Sequence, residues 1–129
     1  MTCFWDGIMK SLNQTDFNFI KEKKINNHEF IRMLKKRVQM MTNVLWQGES
    51  LREQEINEHI EAIKEYKINE IPNGHLTSVC DSFLLLICEL FKVNIIHRYM
   101  NIEIKYTNKE LSRKTLHYSS NNGHFVCSR

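Results

Sequence analysis

A chain of 129 residues, 42% hydrophobic and 26% charged, is long enough for one buried core and has the composition of a globular protein. Its formal charge of +3 is spread among interleaved acids and bases, which argues against a concentrated phosphate-binding face and so against nucleic acid as a partner. One proline and four glycines exclude a long flexible linker, so residues 1–129 read as a single domain.

The first predicted element is a helix from Cys3 to Leu12, with Phe4, Ile8 and Leu12 on one face and Trp5 and Met9 beside them. Asp6 interrupts this apolar run, which therefore does not read as a signal peptide. Asn13 to Asn18 is polar and ends the helix. A second helix is expected from Asn27 to Met41, with Asn27 as N-cap and a stripe of Phe30, Ile31, Leu34, Val38 and Met41. The basic stretches Lys21-Glu22-Lys23-Lys24 and Lys35-Lys36-Arg37 read as solvated helix faces.

Gln47-Gly48-Glu49-Ser50 breaks the pattern, and Ser50 with Glu53 has the spacing of a capping box opening a helix from Leu51 to Tyr66. Ile56, Ile60 and Ile63 would point inward from it. Ile71-Pro72-Asn73-Gly74 is the clearest turn. The next helix, Thr77 to Phe91, is apolar around most of its circumference and should be buried. Its longest apolar run, Phe83 to Cys88, is too short to cross a membrane.

From Val93 the pattern changes to strands: Val93–Tyr99, a turn at Met100-Asn101, then the alternating Ile102–Tyr106. Thr115–Tyr118 and His124–Cys127 follow, around the turn Asn121-Asn122-Gly123. Helices first and strands last predict an α+β fold with a small antiparallel sheet near the C-terminus.

Four cysteines, Cys3, Cys80, Cys88 and Cys127, show no CxxC pairing, so no zinc framework is expected and no cofactor is implied. Cys80 and Cys88 share a helix and stand too far apart to bond each other, which fits reduced thiols in a cytosol-like compartment. Cys88 reads as packing. His28 and His59 read as exposed, and His28-Glu29 lacks the second histidine of a zincin motif. His97 and His117 lie on strands, placed to face each other, and His75 follows the Gly74 turn. Cys3 is different: a thiol at a helix start, with His124 far downstream, is the layout of a cysteine nucleophile and its base.

Cys3-Phe4-Trp5-Asp6-Gly7-Ile8 resembles the nucleophile motif of the ovarian-tumour (OTU) family of papain-like cysteine proteases, most of them deubiquitinases. The motif has a cysteine, two large apolar residues, a variable position, a small residue and an aliphatic. The apolar helix Asp81–Phe91 running into Val93-Asn94-Ile95-Ile96 is similar to the family's buried helix and strand. His124-Phe125 is similar to the histidine and aromatic that open its last strand. The resemblance implies a papain-like, OTU-like fold with Cys3 as nucleophile and His124 as base. It also implies a ubiquitin or ubiquitin-like substrate. Many members place Asp or Asn two positions after the histidine; Val126 stands there in this chain, so Asn122 or Asn121 is the expected substitute. Only Met1 and Thr2 stand before Cys3, so the family's acidic-glycine lead-in is expected to be missing or rebuilt from elsewhere. Composition and size also resemble proteins of large DNA viruses, which implies host cytoplasm or virion as the setting. The alternative is the same scaffold without activity, serving as a viral binding or virion structural module. For either reading Phe4 and Trp5 are expected to be core anchors.

Overall fold

The computed structural model describes residues 3–68, 77–121 and 124–127, and the side chains of residues 3, 77–79 and 124 are not among those described. The expected turn at 71–74, His75 and Asn122 lie outside the described residues. The described chain forms five α-helices and a six-stranded mixed sheet. In order these are α1 (Cys3–Ser11), α2 (Gln14–Phe19), α3 (Asn27–Lys36), β1 (Val44–Trp46), β2 (Glu49–Ser50), α4 (Glu53–Glu65), α5 (Thr77–Phe91), β3 (Asn94–Tyr99), β4 (Ile102–Asn108), β5 (Thr115–Asn121) and β6 (His124–Cys127).

The segment expected only to end the first helix folds into a helix of its own. Asn13 caps α2 by accepting from the Asp16 backbone N–H at 2.9 Å, while Asp16 accepts from the Asn13 N–H. Phe17 is thereby driven fully into the core. Helix α3 starts one residue earlier than expected in capping terms, with Asn26 accepting from Glu29 N–H. It ends at Lys36 rather than Met41. Met41 is still buried and Val38 packs on the core, but a non-helical segment carries them there. Nor is the basic run at its end simply solvated. Lys35 donates to the carbonyls of Lys64 and Tyr66, closing the C-terminus of α4, and Arg37 donates to Ile20 O at 2.8 Å.

Residues 44–50 form a hairpin where the sequence pattern shows only a break. Trp46 pairs with Glu49, and both intervening residues, Gln47 (φ 53°) and Gly48 (φ 83°), are left-handed. That is the backbone a two-residue turn needs to match strand twist. Gln47 is held there by hydrogen bonds to β4, donating to Glu103 O and accepting from Lys105 N–H at 2.8 Å. The capping box also moves: Ser50 is in β2, and Glu55 closes the start of α4 by accepting from the Arg52 N–H at 2.8 Å.

The sheet order is β2-β1-β4-β3-β5-β6, and β3 and β5 run parallel. The expectation of a purely antiparallel sheet is therefore corrected. The reason is β1, which occupies the far edge of β4 (Val44 opposite Asn108, Trp46 opposite Tyr106). Strand β5 must then join on the other side, next to β3. The connection wraps the start of β3, where Arg113 N–H donates to Lys92 O and Asn94 N–H to Lys114 O. Asp16 secures that wrap from α2, pairing with Arg113 at 2.9 Å and Lys114 at 2.7 Å.

As expected, α5 is the buried centre, with Phe83 through Phe91 all within the core. Its one buried acid, Glu89, accepts from the Asn43 N–H and side-chain amide and pairs with Lys92. The helices cover the sheet face carrying Ile95, His97, Tyr106, Tyr118 and Phe125. Arg98, Glu103 and Lys105 form ion pairs on the strands as exposed side chains. His97 stands opposite Tyr118 and His117 opposite Ile96, so these two histidines do not face each other.

Candidate active site

Helix α1 begins at Cys3 because its apolar residues recur at helical spacing and Asp6 places a negative charge in the first turn, where the helix dipole favours it. Asp6 also accepts from the Asn27 side-chain amide at 2.9 Å, tying the start of α1 to α3. Trp5 is buried among the helices. Its ring meets Phe83 edge-on with centroids 4.8 Å apart, and its indole N–H donates to Tyr66 OH at 3.1 Å. Phe4 turns to the sheet and packs on Phe125 with centroids 4.8 Å apart. The two residues after Cys3 are thus core anchors, as expected, and pull in different directions.

The rest of α1 is fastened to the same end strands. A Cβ on Gly7 would lie 2.9 Å from the Phe125 ring and 3.5 Å from the backbone nitrogen of Cys127. The small residue of the motif is therefore a physical requirement, since a side chain bulkier than a methyl group would hold α1 off β6. One turn on, the Ser11 hydroxyl donates to Ile8 O and so receives the proton of Tyr118 OH. Burial raises the Tyr118 phenol well above its ordinary range.

Strand β6 opens at His124, which stands opposite Asn121 in the β5–β6 ladder. Phe125 is opposite Ser120 and buried. Its ring touches Phe4 from the helix side, Tyr118 at 4.9 Å and His97 at 5.3 Å. Cys3 and His124 therefore open two elements that pack directly on each other, and the residue next to each makes the junction. Their side chains are not among those described, and Asn122 lies outside the described residues. Asn121, the other expected orienting residue, is exposed at the end of β5.

Several other chemistry-bearing residues are placed by the structure. Cys88 is fully buried in α5, where burial and then the nearby Glu89 charge raise its thiol far above the ordinary value, leaving it inert. His28 is exposed as expected, but His59 is not. It is half-buried, with Nδ1 2.7 Å from the Ser82 hydroxyl. Burial holds His59 below its ordinary pKa against the pull of Asp81, Glu55 and Glu58. Ser82 is itself buried on α5, which denies this Ser–His pair access to a substrate. No sequence pattern points to this pair, because its members are 23 residues apart on different helices.

A second buried polar pair lies in the sheet. His97, in the middle of β3, sits with Nε2 2.6 Å from the Ser120 hydroxyl, both inside the core next to Phe125. The only trace of it in sequence is strand alternation, which puts His97 on the same face as Ile95. Among the described residues no group of three or more His, Cys, Asp or Glu is placed to hold a metal ion. No described helix is long and apolar enough to cross a membrane. A groove of about 630 Å³ runs along α4, lined by Glu53, Asn57, Glu58, Glu61 and Glu65, and includes none of the residues at the α1–β6 junction. Comparison with protein-family models, with curated proteins and with solved structures finds no match in any of the three.

Proposed function

We propose that this chain is an OTU-like, papain-fold cysteine protease that hydrolyses peptide or isopeptide bonds of ubiquitin or a ubiquitin-like modifier. The observation that carries the reading is the Phe4–Phe125 contact, which joins the helix opened by Cys3 to the strand opened by His124. The close approach at Gly7 adds to it, because it gives the motif's small residue a reason to be there.

In this reading the Cys3 sulfur, at the positive end of α1, is stabilised as thiolate and passes its proton to His124. The thiolate attacks the carbonyl carbon, and the oxyanion that forms is received by the Cys3 backbone N–H, which has no partner within the helix. His124 then returns the proton to the leaving amine, and the thioester is released by water activated by the same imidazole. Asn122 or Asn121 orients that imidazole. The substrate class comes from the sequence resemblance alone.

An electrophilic ubiquitin probe tests this. The wild type should be labelled, Cys3→Ala should not, and His124→Ala should label about a hundredfold more slowly while remaining folded. Labelling that survives in Cys3→Ala removes Cys3 as nucleophile. A folded wild type that is never labelled, yet binds ubiquitin, favours the inactive binding module.

A further inference from the structure

We propose that His97 is a positioning residue for this site: its buried imidazole, through Ser120 and Phe125, fixes the strand that carries His124. The assignment rests on the protease reading for what the positioning serves, but its geometry stands separately.

Strand β6 has four residues and lies at the edge of the sheet, with β5 as its one neighbouring strand. Such a strand is weakly specified, and a slip by one residue would exchange its two faces. What fixes it is Phe125, packed between α1 on one side and three sheet residues on the other. Two of those three interactions are aromatic contacts, from Tyr118 and His97. The third is Ser120, the ladder partner of Phe125.

His97 and Ser120 are hydrogen-bonded at 2.6 Å, so one buried polar pair links β3 to β5, and Phe125 of β6 packs on His97 and pairs with Ser120. A phenylalanine at position 97 would fill the space and bury no polar atom. An imidazole there costs desolvation that the hydrogen bond to Ser120 must offset. What the imidazole adds is direction, because its hydrogen bond ties the Nε2 edge of the ring to one point on β5, which dispersion contacts alone do not single out. The ring so fixed is the surface on which Phe125 rests. His124 is the next residue, so an error in Phe125 is passed to the imidazole expected to act as base.

The test is an NMR titration of the His124 imidazole in the full chain, for the wild type, Ser120→Ala, His97→Phe and His97→Gln. Ser120→Ala and His97→Phe should move the His124 midpoint by about half a pH unit or more. His97→Gln, whose amide can serve Ser120 as donor or acceptor, should leave the midpoint near that of the wild type. A His124 titration that superimposes on the wild type in Ser120→Ala overturns the assignment, even if His97→Phe fails to fold. A displacement in His97→Gln equal to that in His97→Phe overturns it too, because the hydrogen bond would then not be the cause. Ubiquitin-probe labelling separates the two claims. No labelling of the wild type, with a His124 midpoint that still moves, ends the protease reading and upholds the positioning role. Labelling with an immobile midpoint does the reverse.

Discussion

Gly7 lies so close beneath Phe125 that a methyl group on its Cα would stand 2.9 Å from the ring. Two opposing effects follow for a substitution there. Alanine gains about 1 kcal/mol of helix propensity over glycine, and the Phe125 ring is a side chain that can give way. Valine brings two further carbons that must move the helix, at a cost of about 2 kcal/mol from overpacking. Gly7→Val should therefore lower the urea midpoint and slow ubiquitin-probe labelling, while Gly7→Ala stays near the wild type in stability. A Gly7→Val protein as stable and as reactive as the parent would show that α1 does not approach β6 this closely.

Asp16 predicts an acid-sensitive contribution to stability. Burial pushes its carboxyl up, but hydrogen bonds from Lys114, the Asn13 backbone and Arg113, with the Lys114 charge, outweigh that and hold it below the ordinary carboxylate value. A carboxylate depressed in the folded state stabilises the fold above its unfolded pKa, near 4, and loses that stabilisation as pH falls through its folded pKa. Asp16→Asn should cost about 2 kcal/mol at pH 7, the scale of charge-assisted hydrogen bonds lost with partly exposed partners. Urea unfolding at pH 7 and pH 3 checks this: the gap between wild type and variant should narrow at the lower pH. An equal gap at both values would mean that the ionised form of Asp16 contributes nothing.

What could be read from the sequence follows from what periodicity can encode. The α4 and α5 helices and the alternating part of β4 were legible because their apolar residues repeat with a single period over many positions. The α2 helix was not, because six residues carry no period and the fold there rests on the Asn13–Asp16 cap and on burying Phe17. The β1–β2 hairpin was hidden for a different reason. Its turn uses Gln47 in a left-handed conformation, where glycine, asparagine or aspartate is the usual signal. Without β1, nothing in the sequence shows that the far edge of β4 is taken and that β5 must pair in parallel with β3. At the site, the cysteine motif showed that position 7 is small, but its cause, the ring of Phe125, is 118 positions away in the chain. The His97–Ser120 pair has strand alternation as its only local signal: it sets His97 on the inward face with Ile95 but does not point to Ser120 as the partner.

Gly48 gives a clean measure of backbone conformation. Its φ is +83°, and nothing lies within 4 Å of where a Cβ would be built. Gly48→Ala therefore meets no steric contact with the rest of the protein, and its cost is the left-handed conformation alone, about 1 kcal/mol. Gln47→Gly works in the opposite direction on φ but removes the side-chain bonds to Glu103 and Lys105, so it should not stabilise. Denaturant midpoints for the two variants decide the matter. If Gly48→Ala equals the wild type, the hairpin turn does not have this backbone.

His59 should make the α4–α5 contact weaken as pH falls below neutrality. Burial holds the folded imidazole below its ordinary value of 6.5, so the unfolded chain takes up the proton first. The sign follows: stability is complete above pH 6.5 and declines as pH passes down toward the folded pKa, because protons then favour the unfolded state. Asp81, Glu55 and Glu58 moderate this decline by attracting the charged ring. His59→Gln removes the titration and should lose less stability than the wild type between about pH 7.5 and pH 5.5. Ser82→Ala removes the 2.7 Å hydrogen bond instead, so it should cost about 1 kcal/mol at both pH values and leave the slope in place. Equal losses for wild type and His59→Gln across that interval would show that the folded imidazole titrates as it does in the unfolded chain, and that its burial between α4 and α5 carries no energetic consequence.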